Sequence, residues 1–273
     1  MTLSFNDLRA VSGKLAIMSP LILHLPHAAT TIPPEAREDY LVDARDLARE
    51  SLRLVDAHTD VLFGAEVWPG AVLAAEVSRL VVDVERFADD DREPCARVGM
   101  GATYARTSDG RALRDLSPVR RAELMAKHYW PHHAEADRLA QARLAAGGRC
   151  LILDAHSYPT VPLPTEVAAA RPEIGLGTDP VHTCRELRAL LEGFFRRRGY
   201  EVAVDAPFTG AFVPNACFGA EPRCQSVMVE VRRDLYMDEA TGARHAGFER
   251  VRADLGALAP LLADFAAGEV WPT

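Results

Sequence analysis

Short apolar runs alternate along the chain with longer amphipathic stretches. Four runs stand out, Leu21 to Leu25, Leu80 to Val84, Cys150 to Leu153 and Val227 to Val231, each rich in Leu, Val and Ile and too short for a helix. Strands of this kind are buried on both faces and need cover on both sides. Between the runs the spacing turns helical. Ser117-Pro118 supplies an N-cap and a proline at the first helical position of a segment reaching about Ala146. Asp179-Pro180 opens another, closed by Arg196, Arg197 and Arg198 and then Gly199, cations at a helix end followed by a stop. A third runs from about Ala246 to Ala267, interrupted at Pro260. The alternation predicts an α/β fold, a three-layer αβα sandwich around a mixed, mostly parallel sheet. With no internal repeat and no Gly/Ser linker, residues 1–273 read as a single domain. The stretches 86–117, 157–180 and 205–224 exceed ordinary connections, and loops of that length are expected to shape or cover a site.

Composition narrows the function classes. Hydrophobic residues make up 48% of the 273, enough for a sizeable core. Lys and Arg total 31 against 39 Asp and Glu, a net charge of -8 with no basic stripe, so nucleic acid is not an expected partner. No apolar run approaches the roughly 18 residues of a membrane span, and Asp7, Arg9 and Lys14 interrupt any signal-peptide layout. The expected location is cytoplasmic, with no membrane partner; the oligomeric state is left open. Five cysteines, an odd number with no C-x-x-C pair, read as buried or incidental thiols. Metal chemistry is left to the nine histidines and the carboxylates.

Each apolar run finishes in polar groups: Pro26-His27, Asp83-Val84-Glu85-Arg86, Asp154-Ala155-His156-Ser157 and Glu230-Val231-Arg232-Arg233. Ligands of open α/β sheets bind beyond the carboxyl ends of parallel strands, so these groups are candidates for one crevice. Glu230 lies among apolar neighbours, where an ionised carboxylate is costly without a partner. It reads either as a general base with a pKa raised by desolvation or as half of a structural ion pair with a nearby Arg. His27 and His156, at equivalent strand exits, are candidates for a shared metal, with Asp154 able to orient an imidazole. A helix expected after the first strand would carry Asp56 and Asp60 on one face, either of which could complete a His, His, carboxylate site with a fourth position open to water. His128, His132 and His133 read as packing or substrate contacts, Asp89 to Asp91 as a solvated loop. His24, His182 and His245 carry no functional reading.

Taken in order, these landmarks resemble the N-formylglutamate amidohydrolase family, related to zinc carboxypeptidases and aspartoacylases. They are Leu-Pro-His-Ala-Ala (25–29) with Ile-Pro-Pro after it, Asp56-Ala-His-Thr-Asp-Val-Leu-Phe63, Ser78-Arg-Leu-Val-Val-Asp-Val-Glu-Arg86, His128-Tyr-Trp-Pro-His-His133, Asp154-Ala-His-Ser157, Ile174-Gly-Leu-Gly177, Pro207-Phe-Thr-Gly210 and Val229-Glu-Val-Arg-Arg-Asp-Leu-Tyr236. The resemblance spans about residues 20–240 and implies a zinc-carboxypeptidase-like sandwich. It further implies one zinc ion per chain held by His27 and His156, with another divalent metal also acceptable to such ligands. The related enzymes commonly use a carboxylate three residues after the first His, but Thr30 stands there, so the third ligand is assigned to Asp56 with Asp60 as substitute. Glu230 matches the general base, and Arg79 and Arg86 match arginines that hold a substrate carboxylate or the oxyanion. Tyr129, His133, Ser157 and Thr209 match lining residues. Relatives often read Asp-x-Asn-Arg where this chain has Asp83-Val-Glu85-Arg86, and many follow the first histidine with a small residue and Gly where Ala28-Ala29 stand. Both departures bear on the substrate more than on the chemistry.

The implied reaction is hydrolysis of a small anionic N-formyl or N-acyl amino acid, with N-formyl-L-glutamate giving formate and glutamate as its reference and histidine degradation as its setting. Two alternatives are a phosphoesterase bridging two metals with the pairs Asp56-x-His58 and Asp154-x-His156, and a silent binder of a small carboxylate.

Overall fold

The computed structural model describes residues 19–164, 166, 170–268 and 271. Six strands form one sheet in the order β2-β1-β3-β6-β4-β5, where β1 is Leu21–Leu25, β2 Ala71–Ala74, β3 Cys150–Tyr158, β4 Ile174–Gly177, β5 Val202–Val204 and β6 Cys224–Arg232. Pairing is parallel except between β4 and β6, so β1, β2, β3 and β6 send their carboxyl ends to one edge and the β4–β5 pair runs the other way. This is the mixed, mostly parallel sheet the apolar pattern predicts.

Side chains alternate between the two faces of the sheet with period two. One face is apolar throughout: Leu21, Leu23, Leu25, Leu151, Leu153, Ala155, Val227, Val229 and Val231 pack beneath the later helices through Leu187, Leu191, Phe195, Val251, Leu255, Leu258 and Leu262. The other face changes character along the strands. At its amino end Ile22, Cys150, Ile152 and Cys224 meet Ala136, Leu139 and Ala140. Toward the carboxyl ends it carries His24, Asp154, His156 and Glu230, all buried. The site therefore lies on half of a sheet face as well as at the strand tips.

The helices in chain order are α1 (Pro34–Arg37), α2 (Ala44–Leu54), α3 (Thr59–Leu62), α4 (Pro118–Leu124), α5 (Trp130–Gly147), α6 (Arg185–Arg197), α7 (Phe248–Gly256) and α8 (Leu258–Ala267). Ser117 caps α4 by accepting from the Arg120 amide at 3.1 Å, and a π-helical turn, Met125–Tyr129, joins α4 to α5. Gly148, at φ 69, ends α5 in the left-handed region that glycine enters without strain.

Four sequence expectations are corrected. Leu80 to Val84 is wholly buried yet is not a strand. Its backbone is satisfied in other ways: Tyr40 donates to the Leu80 carbonyl, Arg114 to that of Val81, His133 to that of Val84, and the Asp83 amide donates to Ala102. The helix expected to carry Asp56 and Asp60 stops at Leu54, where Arg233 and Arg79 donate to the carbonyls of Arg53 and Leu54. The helix expected from Asp179 starts at Arg185, because the Asp179 carboxylate accepts the amides of Val181 and His182 and builds a turn. The break in the last helix falls at Ala257, between α7 and α8, three residues before Pro260. None of the described helices is long and apolar enough to cross a membrane.

Candidate active site

Strand β3 continues to Tyr158, so Asp154 and His156 share the polar face, and β6 pairs with it so that His156 and Glu230 are register partners. Across β6, the partner of Glu230 is Gly175, which puts no side chain on that face. His27 follows β1 by two residues. Asp56 sits in the extended link after α2, its amide donating to the His27 carbonyl at 3.0 Å.

The acids and imidazoles interlock. His27 Nε2 lies 2.8 Å from Asp83 Oδ1, while its Nδ1 faces Asp56 and Glu85, each at 3.6 Å. His156 Nδ1 lies 3.0 Å from Asp56 Oδ2; its Nε2 is 3.0 Å from Asp154 Oδ1 and 3.1 Å from Glu85 Oε1. Arg233 donates to Asp56 Oδ1 at 3.0 Å and to the hydroxyl and carbonyl of Ser157. Asp83 is braced on its other oxygen by Arg79 at 2.7 Å and by the Tyr104 hydroxyl at 2.6 Å. Behind this layer His24 Nδ1 lies 2.8 Å from Asp154 Oδ1 and His24 Nε2 lies 3.0 Å from His132 Nε2.

These contacts set the protonation. Burial alone would raise the Asp56 carboxyl, but the hydrogen bond from His156 and the nearby His27 imidazole hold it well below the usual range. Burial likewise opposes the ionised form of Asp83, and Arg79 and His27 hold it low. Burial works against protonating His156, yet Glu85 and Asp154 raise its pKa well above the ordinary value. His27 is raised too, Asp83 and Asp56 prevailing over burial and Arg79. Glu230 moves the opposite way from the other acids. It makes no hydrogen bond or ion pair among the described residues, its Oε2 is buried without a partner, and burial pushes it up to about 7. Among the described residues the ion pair with an arginine that the sequence left open does not form, and Arg233 is engaged with Asp56 and Ser157.

A divalent metal fits this donor set. Ligand atoms of His27, Asp56 and His156 lie within 4.8 Å of one another. His27 Nδ1 is buried with no hydrogen-bond partner. Four carboxylates, Asp56, Asp83, Glu85 and Asp154, stand within 3.6 Å of an imidazole nitrogen of His27 or His156. A cation among them offsets charge that two imidazoles alone must otherwise carry.

The cavity at this cluster measures about 500 Å³ and is walled by Arg53, Asp56, Arg86, Ser157, Thr209, Phe212 and Glu230 among others. All three long loops contribute, through Phe87 and Tyr104, Pro159 and Leu163, and Phe208 and Phe212. Arg86 Nε is buried without a hydrogen bond and lies 3.6 Å from Asp83 Oδ2, an ion pair looser than that of Arg79. Arg79 also borders the cavity, but its guanidinium is taken up by Asp83, Tyr104 and the Leu54 carbonyl. Tyr129 and His133 do not line it, contrary to expectation. They donate to the carbonyls of Arg86 and Val84 and so support the 84–86 turn from behind. Asp60 is exposed on α3 and apart from the cluster. His58 lies at φ 68 and bonds the Gly242 carbonyl, lining with Thr30 a second, mostly apolar cavity of about 630 Å³. Sequence reasoning missed His24 and Arg233. The signal for His24 was a histidine inside Leu-Ile-Leu-His-Leu, a fully buried position that demands polar partners.

Comparison with known proteins gives the class, a hydrolase acting on an amide. The chain belongs to the N-formylglutamate amidohydrolase family, whose model matches residues 19–237. It is 30% identical over 229 residues to an N-formylglutamate deformylase of Pseudomonas aeruginosa, covering 81% of this chain and 83% of that protein, and 27% identical over 227 residues to that of Pseudomonas putida, covering 81% and 82%. The crystal structure of N-formylglutamate amidohydrolase from Ralstonia eutropha JMP134 aligns with a TM-score of 0.76 at 26% identity, over 93% of this chain and 96% of that one. A gene product of Agrobacterium tumefaciens, 18% identical, shares the fold with a TM-score of 0.61 over 91% and 89%.

Proposed function

We propose that this chain hydrolyses the amide of an N-formyl or N-acyl amino acid, with N-formyl-L-glutamate and water giving formate and L-glutamate as the reference reaction, and that it does so with one bound divalent ion, zinc first among the candidates. His27, Asp56 and His156 would hold the ion. Bound there, it would supply Lewis acidity, making a water more acidic and polarising the scissile carbonyl.

The single observation that carries the reading is Glu230: buried, unpartnered, raised to about 7 and register partner of His156. A carboxylate held this way suits a general base near neutral pH. Glu230 takes the water proton as the C–O bond forms and returns it to the nitrogen as the C–N bond breaks, so the amine leaves neutral. Arg86, whose Nε makes no hydrogen bond and stands 3.6 Å from Asp83, is the better placed of the two arginines to meet the oxyanion or a substrate carboxylate. Arg79 acts through Asp83, fixing the second nitrogen of His27. Ser157 and Thr209 border the space left for substrate. The two-metal phosphoesterase finds no support in the position of His58, which faces the other cavity.

Metal analysis of the purified protein, coupled to formate and amine release from a panel of formyl- and acyl-amino acids, tests the proposal. One divalent ion per chain with amide turnover is expected; a metal-free active enzyme, or a metal-loaded one inert to every member, would refute it. His156→Ala should lose the ion with the activity. Glu230→Gln should keep it while kcat falls by roughly 10²–10⁴-fold.

A further inference from the structure

A hydrogen-bonded row runs from the amino end of α5 into the cluster: His132 Nε2 to His24 Nε2 at 3.0 Å, His24 Nδ1 to Asp154 Oδ1 at 2.8 Å, and Asp154 Oδ1 to His156 Nε2 at 3.0 Å. Every member is buried, and the His24 ring is stacked on Phe212 with centroids 3.9 Å apart. The hydrogens in this row can be assigned by elimination. An ionised carboxylate only accepts. Asp154 Oδ2 already takes the Phe212 amide at 2.9 Å, and Oδ1 faces both imidazoles. His24 must therefore donate from Nδ1, which leaves Nε2 as its lone pair when the ring is neutral. His132 must then donate from its own Nε2. His156 Nε2 faces Asp154 Oδ1 and Glu85 Oε1 at once, and so it too carries hydrogen. The lone pair of a neutral His156 ring is forced to Nδ1, the nitrogen that faces Asp56.

We propose that His24 and His132 are positioning residues which, through Asp154, fix His156 in the tautomer and orientation that present Nδ1 to a metal. The proposal rests on the metal-dependent reading above. Asp154 is held at three points, by the His24 ring, the Phe212 amide and His156, and is not free to swing toward the ion as a competing ligand. His132 settles the row from its far end, since without its donor the His24 Nε2 lone pair would be buried with no partner. Three buried histidines thus serve one nitrogen.

His24, Glu85 and Asp154 also offer ligand atoms within 4.8 Å of one another, the pattern of a second cation site. The row accounts for the same atoms without an ion, and the two readings are separable by stoichiometry.

The experiment compares His24→Asn, His24→Gln and His24→Leu in the full chain by zinc affinity, measured by competition with a chromophoric chelator, alongside thermal unfolding and zinc content. An Asn amide can occupy the place of Nδ1 and still donate to Asp154; Leu cannot, and Gln places its amide toward His132. Expected are wild-type-like affinity for His24→Asn and a weakening of roughly 10–100-fold for His24→Leu and His24→Gln. His156 imidazole ¹⁵N shifts in the zinc-loaded wild type should report a ligated Nδ1 and a protonated Nε2. If His24→Leu does not fold, the Asn and Gln pair alone decides. Affinities for Leu and Gln within about threefold of wild type, or no advantage of Asn over Gln, would overturn the proposal. Two ions per chain falling to one on loss of His24 would overturn it in favour of a ligand role. A wild type that holds no zinc would overturn the metal reading itself, an outcome distinct from equal affinities across the series.

Discussion

Glu230 is the residue at which burial and function meet most directly. Its carboxyl is lifted from an ordinary 4.5 to about 7, so the folded protein binds a proton there that the unfolded chain has already released. The stabilisation this group gives is full below about pH 4.5 and is lost as pH rises through about 7, a change on the order of 3 kcal/mol. Glu230→Gln keeps the volume and removes the titration. In metal-stripped protein the variant should therefore gain on wild type as pH climbs from 4.5 to 8, read as a widening gap between urea midpoints. A constant gap would mean that the carboxyl titrates normally. At this scale the sequence was partly legible. His27, His156 and Glu230 could be found because polar groups closing apolar runs are costly unless used. Asp56 was paired with Asp60 on a helix that stops at Leu54, and only the family resemblance favoured Asp56, since the link that carries it has no periodicity of its own. Arg233 was hidden among exposed-looking charges and gains its contacts only when α2 ends beside β6.

Elements decide how much room the site has. Strand β4 places Gly175 and Gly177 on the polar face beside Glu230 and Met228. A methyl at Gly177 would lie 2.2 Å from the Gly210 carbonyl oxygen and 2.3 Å from Met228 Cε, whereas one at Gly175 would meet its nearest atoms at 3.3 Å. The Met228 side chain can turn away, but the Gly210 backbone cannot without displacing a wall of the cavity. Gly177→Ala should cost about 1–3 kcal/mol by chemical denaturation and raise KM, with Gly175→Ala milder on both counts. Equal effects would place the constraint elsewhere. Strands β1, β3 and β6 were legible because full burial on both faces leaves unbroken apolar runs. Leu80 to Val84 has the same composition without the ladder. Its carbonyls are met by Tyr40, Arg114 and His133, contributed by three separate stretches of chain, and no local pattern announces such long-range partners.

Over the whole molecule, the mixed sheet was predictable from the alternation of runs and helices, but not the reversal of β4 and β5, which lets 205–212 return across the polar face. The net charge of -8 gives an anionic substrate no long-range attraction, leaving capture to arginines at the cavity. The groups that meet at the centre come from far apart along the chain: His27 and Asp83 are 56 positions distant, Asp56 and His156 100, Asp56 and Arg233 177. Contacts between such distant segments carry a large loop-closure cost, so the site is expected to close late in folding. The divalent ion proposed above should then leave the refolding rate unchanged and slow unfolding alone, so that its whole stabilising effect, about 4 kcal/mol at a thousandfold excess over Kd, appears in one arm of the chevron. A refolding rate that rose with the metal would mean instead that the ion recruits its ligands early and guides the chain into register.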